Sequence, residues 1–329
     1  MNTNDTHSDD HGVVYKKTSG YYTVHANGRV INCTLSAHLH IERMHSTYKQ
    51  LARPEHTVPD SVAVGDIVRY IQYADGSGSI TAILPRRNRL ARRSPVPMPT
   101  AHAHEQVIVS NVDQVVPVFS AAHPTPRWNL LDRYLVSSES LGIPALICMT
   151  KTDLLDGEDE QDTNELFDTL ADYRRIGYTV VLTSTVTGQG MDELLSCLAG
   201  KTNVLVGKSG VGKSSILNFL QPGLGLRVNE VSRYKDRGKH TTTHLEMFPL
   251  ELGGAIVDTP GIREFGLWDI DSRNLALYFP EIRLFAGQCR FGLSCRHDEE
   301  PGCAVRQAVA RGQVSPRRYM SLMRMCEDE

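Results

Sequence analysis

The sequence predicts an α/β fold in three parts. An N-terminal OB-type β-barrel comes first, then a nucleotide-binding domain with parallel strands, then a small C-terminal metal-binding helical domain. Three observations predict it. Five short β-rich runs precede a proline tract. A complete G-x-x-x-x-G-K-S loop, residues 207–214, stands between an apolar run and a helical one. Three cysteines and a histidine crowd into residues 289–303. A chain of 329 residues has room for two or three domains.

Residues 1–12 are polar, with Asp5, Asp9 and Asp10, and read as a disordered tail. Residues 13–93 read as the barrel. Strand-like runs occupy 12–15, 21–25, 29–35, 66–71 and 78–84, and Asn27-Gly28 is a hairpin turn signal. Five short strands in so little chain suit an OB barrel. Residues 13–104 carry 12 Lys/Arg against 5 Asp/Glu, so the near-neutral chain hides a basic front module. Positive charge with Tyr21, Tyr22 and Tyr48 suits RNA backbone binding and base stacking; the alternative for each tyrosine is a place in the core. Arg86, Arg87, Arg89, Arg92 and Arg93 form a cluster expected to meet phosphate. The proline-rich stretch after it, 94–105, is expected to be a linker.

Residues 106–265 read as the nucleotide domain. Asn203-Val204-Leu205-Val206 is a buried strand, and 215–220 has helical apolar spacing. Between them the loop runs Gly207-Lys208-Ser209-Gly210-Val211-Gly212-Lys213-Ser214, followed by Ser215. Its N–H groups and the helix N-terminus favour an anion. Lys213 is expected on the β- and γ-phosphates and Ser214 on Mg²⁺. Ala255-Ile256-Val257 is a second apolar strand, ending in Asp258-Thr259-Pro260-Gly261; Asp258 suits Mg²⁺, and the Gly261 N–H suits the γ-phosphate. Between these motifs lies Gly238-Lys239-His240-Thr241-Thr242-Thr243. One of its threonines, Thr242 ahead of Thr241, is expected on the metal.

A third strand, 144–149, leads into Thr150-Lys151-Thr152-Asp153. An aspartate can accept from guanine N1–H and the 2-amino group, a donor pair that adenine lacks. Lys151 would lie along the ribose side. The usual first residue of this motif is Asn; here it is Thr150. Thr183-Ser184-Thr185 follows an apolar run and is either a base-contacting loop or an ordinary Ser/Thr turn. The base-reading motif precedes the phosphate loop, whereas in an ordinary GTPase it comes last. The domain is therefore circularly permuted, which frees its chain ends to carry other modules.

Residues 266–329 hold Cys289, Cys295, His297 and Cys303. Thiolates and imidazole suit tetrahedral Zn²⁺, and four protein ligands leave no open position, so one structural zinc is expected. Residues 304–325 carry five arginines and no acid, a second basic surface with helical character. Seven scattered cysteines oppose a disulfide framework and suit a reducing cytoplasm. No apolar run approaches a membrane span, and no signal peptide precedes the first strand.

The ordered set resembles the bacterial ribosome small-subunit-dependent GTPase family, also called RsgA or YjeQ. The resemblance spans nearly the whole chain. It is carried by Gly65-Asp66, Ile83-Leu84-Pro85-Arg86, Asn111-Val112-Asp113-Gln114, Leu131-Asp132-Arg133-Tyr134-Leu135, Lys151 and Asp153, the phosphate loop, the threonine cluster, Asp258–Gly261, and Glu300-Pro301-Gly302-Cys303. It implies an OB domain, a permuted GTPase domain and a zinc domain. It also implies a role in late maturation of the 30S ribosomal subunit, contact with 16S rRNA, and GTP hydrolysis stimulated by the subunit. The family usually places four residues between the first two zinc cysteines; here there are five. Signalling GTPases orient water with a glutamine after D-T-P-G, where this chain has Ile262. The resemblance makes His240 the candidate replacement, either orienting the attacking water or packing the loop and touching rRNA. Two other classes are a nucleotide-switched RNA-binding factor with negligible turnover, which Ile262 favours, and an ATP-dependent kinase, which Asp153 opposes. A monomer with no membrane association is expected.

Overall fold

The computed structural model describes residues 10–18, 20–41, 62–93, 105–224, 245–258 and 270–327. In chain order its strands are β1 (Asp10–Thr18), β2 (Tyr21–Ala26), β3 (Arg29–Ile41), β4 (Ile67–Gln72), β5 (Gly78–Ile83), β6 (Arg89–Arg93), β7 (Glu105–Ser110), β8 (Gln114–Ser120), β9 (Leu146–Thr150), β10 (Thr179–Leu182), β11 (Thr202–Val206), β12 (Glu246–Pro249) and β13 (Ala255–Asp258). The helices are α1 (Trp128–Ser140), α2 (Glu160–Ile176), α3 (Met191–Leu198), α4 (Lys213–Leu220), α5 (Pro280–Ala286), α6 (Ala304–Ala310) and α7 (Pro316–Glu327). Two compact units result. The first takes Met1–Val112, Gly200–Thr202 and Gly238–Gly261; the second takes Asp113–Ala199, Asn203–Arg237 and Ile262–Glu329.

In the first unit, alternation decides which side chains face the core. Strand β2 buries Tyr22, Val24 and Ala26 and leaves Tyr21 exposed. Antiparallel pairs β1–β2, β2–β3, β4–β5 and β1–β4, with the parallel pair β3–β5, close a five-stranded barrel of OB type. Of the tyrosines considered for base stacking, Tyr22 is a core residue, because strand parity points it inward; Tyr21 is 63% exposed. Tyr48 lies outside the described residues. Residues 10–12, expected in the tail, belong to β1 and pair with β4.

The barrel is closed off by a buried carboxylate. Asp66 accepts from Arg86 at 2.6 and 2.7 Å, from the Ser110 hydroxyl at 2.6 Å and from the Ala63 N–H at 2.7 Å. Arg86 is therefore held inside this unit, and Arg87 donates to the Asn111 carbonyl. Those two were expected to meet phosphate; the fold gives them internal partners. Strands β6 and β7 pair antiparallel, so the segment 94–104 joins two strands of one ladder and the first unit continues to Val112. Strands β12 and β13 form an antiparallel pair, and β12 meets β1 at Lys16 and Glu246, whose side chains pair at 2.9 Å.

In the second unit, β10, β9, β8 and β11 form a parallel sheet in that order. Parallel neighbours need crossover connections, and helices α1, α2 and α3 supply them. Helix α2 starts where the Asp159 carboxylate caps the Gln161 N–H at 2.7 Å, and it stops at Gly177, whose φ of 112° suits glycine. Helices α5, α6 and α7 share one core with α1: Val136 packs with Phe279, Ile282, Leu322 and Met325. At its edge Asp132 of α1 is fully buried. It accepts from Arg318 at 2.7 Å, Arg317 at 3.2 Å, the Tyr173 hydroxyl at 2.5 Å and the Ser321 hydroxyl. Arg318, also fully buried, turns its other side to Glu281 at 2.6 and 3.2 Å. No helix among the described residues is long and apolar enough to cross a membrane.

Candidate functional site

Three of the expected site segments follow parallel strands of the second unit. The base-reading motif follows β9, Thr183–Thr185 follows β10, and the phosphate loop follows β11. Parallel strands end on one edge, so these three loops gather there, the usual ligand position in an open α/β sheet.

The phosphate loop has the backbone that the motif requires. At Gly207 a Cβ would lie 2.4 Å from the Val118 carbonyl oxygen, so only glycine lets the loop leave β11 this close to β8. Gly212, at φ 100°, opens α4. Lys213 donates to the carbonyls of Gly207 at 2.7 Å and Lys208 at 2.9 Å, arching across the loop. Its cation therefore stands beside the N-terminus of α4, where the helix dipole already favours an anion. Ser209 and Gly210 lie in the loop's turn, and Ser214 and Ser215 enter the first turn of α4.

Thr150 answers the departure from Asn. Its buried hydroxyl donates to the Val211 carbonyl at 2.5 Å and lies 3.2 Å from the Phe119 carbonyl. The first residue of the base-reading motif thus ties that segment to the phosphate loop. Lys151 has φ 59°, and its amine donates to the His123 carbonyl at 2.5 Å, which holds its alkyl stem in place. The Ser184 hydroxyl donates to Asp153 Oδ1 at 2.5 Å and accepts the N–H groups of Val186 and Thr187, each at 3.1 Å. It thereby fixes both the carboxylate and the loop after β10. The Thr152 N–H donates to the Thr183 carbonyl, closing the same seam. Thr183–Thr185 forms a Ser/Thr turn that the Ser184 hydroxyl joins to Asp153.

Asp258 ends β13 in the first unit. His240, Thr242 and Gly261 lie outside the described residues.

The four metal-site candidates converge. The ligand atoms of Cys289, Cys295, His297 and Cys303 all lie within 4.8 Å of one another, and all four residues are buried. Cys289 Sγ is 3.5 Å from His297 Nδ1 and 3.9 Å from Cys303 Sγ, and Cys303 Sγ is 3.6 Å from Nδ1. Zn–S bonds of about 2.3 Å place tetrahedral sulfurs roughly 3.8 Å apart, so the spacing fits zinc. The longer gap between Cys289 and Cys295 is taken up by a single 3₁₀ turn, Gly292–Ser294, which brings Cys289 into the set. Glu300 holds the loop by accepting the N–H groups of Arg296 and Asp298. The Tyr319 hydroxyl donates to the His297 carbonyl at 2.7 Å. Burial pushes the Cys295 thiol up to about 12, raises Cys303, and lowers the His297 imidazole. A divalent cation supplies the charge that stabilises thiolates in such a place.

A family model described as the RsgA GTPase matches residues 83–268. The small ribosomal subunit biogenesis GTPase RsgA of Bacteroides fragilis is 36% identical over 319 residues, covering 97% of this chain and 96% of that protein. The chain belongs to the RsgA GTPase family. The RsgA of Gemmatimonas aurantiaca is 44% identical over 270 residues, covering 81% of this chain and 84% of its own. Among solved structures, YjeQ from Thermotoga maritima matches with a TM-score of 0.75 at 31% identity, covering 98% of both chains. YloQ, described as a circularly permuted GTPase, matches with a TM-score of 0.70 at 32% identity, covering all of this chain and 97% of that one. The permuted motif order read from the sequence is therefore that of an RsgA GTPase.

Sequence reasoning missed Asp66 and Asp132 as clasps, the Thr150 tether, and the His123 carbonyl that holds Lys151. The available signal for Asp132 was a carboxylate at helical spacing with the apolar Leu131, Leu135 and Val136: such a group is buried only with partners.

Proposed function

We propose that this chain binds GTP and hydrolyses it to GDP and phosphate in the biogenesis of the small ribosomal subunit, with the subunit as its activator. The carrying observation is the Thr150–Val211 bond, which joins a guanine-reading aspartate segment to a complete phosphate loop within one unit. Asp153, oriented by Ser184, accepts the guanine N1–H and 2-amino group. The loop N–H groups and Lys213 hold the phosphates. Ser214, Thr242 and Asp258 are assigned to Mg²⁺, which neutralises phosphate charge when bound, and Gly261 to the γ-phosphate. Catalysis in such a site is mainly positioning and electrostatic stabilisation. His240 is assigned to orienting the attacking water. One structural zinc belongs to the Cys₃His set. We assign the barrel, expected over 13–93 and begun at Asp10 by β1, to RNA binding, 106–265 to the GTPase and 266–329 to the zinc-binding domain. The barrel and the arginine-rich 304–325 segment are assigned to 16S rRNA, and the chain to a cytoplasmic monomer.

Single-turnover GTP hydrolysis with and without purified 30S subunits tests this reading. Turnover should be slow alone and rise with subunits, and Lys213→Ala should abolish both rates while Asp153→Ala removes the preference for GDP over ADP. Equal GDP and ADP affinity in the wild type would overturn the guanine assignment. A nucleotide-switched factor with negligible turnover is the second reading, favoured by Ile262 in place of glutamine; nucleotide-dependent subunit binding with no subunit-stimulated hydrolysis would select it.

A further inference from the structure

We infer that the loop between Cys289 and Cys295 is a docking knuckle for an unpaired stretch of RNA, with Phe291 as its stacking surface. The inference rests on the functional reading above, which supplies an RNA-rich partner.

The metal-ligand set decides which side chains of this loop face water. Cys289 and Cys295 are buried at its two ends, while Phe291 is 49% and Leu293 63% exposed on the short turn between them. A folded chain gains nothing by leaving two large apolar side chains of one short turn in solvent. The loop is also firmly based. The Arg290 N–H donates to the Gly302 carbonyl at 3.2 Å, and Gly302 packs so closely that an added Cβ would stand 3.1 Å from that of Arg290. The Arg290 guanidinium lies 5.9 Å from the Phe291 ring centroid.

Charge chooses the partner. The loop between the two cysteines carries Arg290 and no acid, and Arg296 follows it; of the acids just beyond, Asp298, Glu299 and Glu300, Glu300 is turned to the backbone N–H groups of Arg296 and Asp298. Among the described residues, neither the Arg290 nor the Arg296 guanidinium has a carboxylate partner. An aromatic ring with a guanidinium that no carboxylate neutralises is the pair that takes a nucleobase by stacking and its phosphate by charge. An acidic protein segment would use the arginines and leave the ring without a role, and an apolar protein groove would do the reverse.

The test uses the full chain and purified 30S subunits. Two variants keep all four metal ligands: Phe291→Ala with Leu293→Ala, and Arg290→Glu. Both should match the wild type in zinc content and GDP affinity, which shows that they fold. Subunit affinity should fall about tenfold in each, the order expected for loss of one stacked base or one phosphate contact. Arg290→Glu should also flatten the salt dependence, and the apolar pair should not. Chemical probing should find a 16S rRNA base that the wild type shields and the Phe291→Ala variant leaves reactive. Unchanged affinity in both variants overturns the knuckle. Lost affinity with no change at any rRNA base means that a ribosomal protein occupies it, which overturns the RNA assignment. A wild type that ignores the subunit indicts the functional reading itself, an outcome distinct from either.

Discussion

Asp66 in the first unit and Asp132 in the second are both carboxylates with no exposed surface, and both are answered by arginine, yet they hold different things together. The partners of Asp66 are local: Ala63, Arg86 and Ser110 join one end of the barrel to the strand that follows it. Arg86 keeps a fifth of its side chain in water. The partners of Asp132 come from afar. Tyr173 belongs to α2, and Arg317, Arg318 and Ser321 belong to α7. Arg318 is as deeply buried as the carboxylate it meets. One clasp closes a module that strand pairing already defines. The other defines where the C-terminal helices dock, and places them within the compact unit that carries the phosphate loop. Buried ion pairs are weak evidence for net stability; fixing a unique arrangement is the role offered here for the second clasp.

Breaking that comparison begins with Asp132→Ala, for which the largest effect is expected. It leaves Arg318 buried with Glu281 alone, and removing one partner of a buried pair costs about 3–5 kcal/mol. Urea unfolding should report that loss, with faster hydrogen exchange in α5 and α7. Replacing the three linked charges together, Asp132→Leu with Arg318→Met and Glu281→Met, should recover much of it, since no deeply buried charge is then stranded. A cost near that of an exposed pair, under about 1 kcal/mol, would show that water reaches the network and that the two clasps are alike.

Asp66→Asn should cost less, about 1–3 kcal/mol, because the neutral amide still accepts hydrogen bonds and Arg86 can turn to water. Faster exchange should be confined to the first unit, around β4, β5 and β7. Exchange that spread into α5 and α7 would mean that Asp66 too holds distant elements together.

These clasps mark what the sequence could and could not disclose. The phosphate loop was legible because backbone chemistry demands glycine at Gly207 and Gly212 whatever surrounds them. The metal set was legible because its four ligands lie within fifteen residues. The barrel strands were legible from alternation, although Tyr22 and Tyr21 exchange roles on a shift of one residue, which composition cannot resolve. Asp132 and Arg318 stand 186 positions apart, and no local pattern relates them. The β6–β7 pairing was hidden for a related reason: the proline tract between the strands reads as a linker, while the ladder depends on the residues flanking it. Arg86 looked like surface charge until its buried partner was seen.

Thr150 sharpens the comparison from the opposite end, as a buried polar anchor with no charge. Thr150→Val keeps the side-chain shape and removes one hydroxyl, so Val211 loses a neutral donor and no ion is stranded. A neutral hydrogen bond is worth about 1 kcal/mol net, which corresponds to roughly fivefold in nucleotide affinity. Stability should fall by about the same amount, well short of the loss expected at Asp132. The informative quantity is which nucleotides weaken. Thr150 acts on the phosphate loop, so GDP and inosine diphosphate should lose affinity by the same factor. Asp153→Ala should instead abolish the difference between them, since inosine lacks the 2-amino group that the carboxylate reads. Thr150→Asn, which restores a donor, should return both affinities toward the wild type. A Thr150→Val variant that weakened GDP alone would place this residue on the base and break the tether assigned to it.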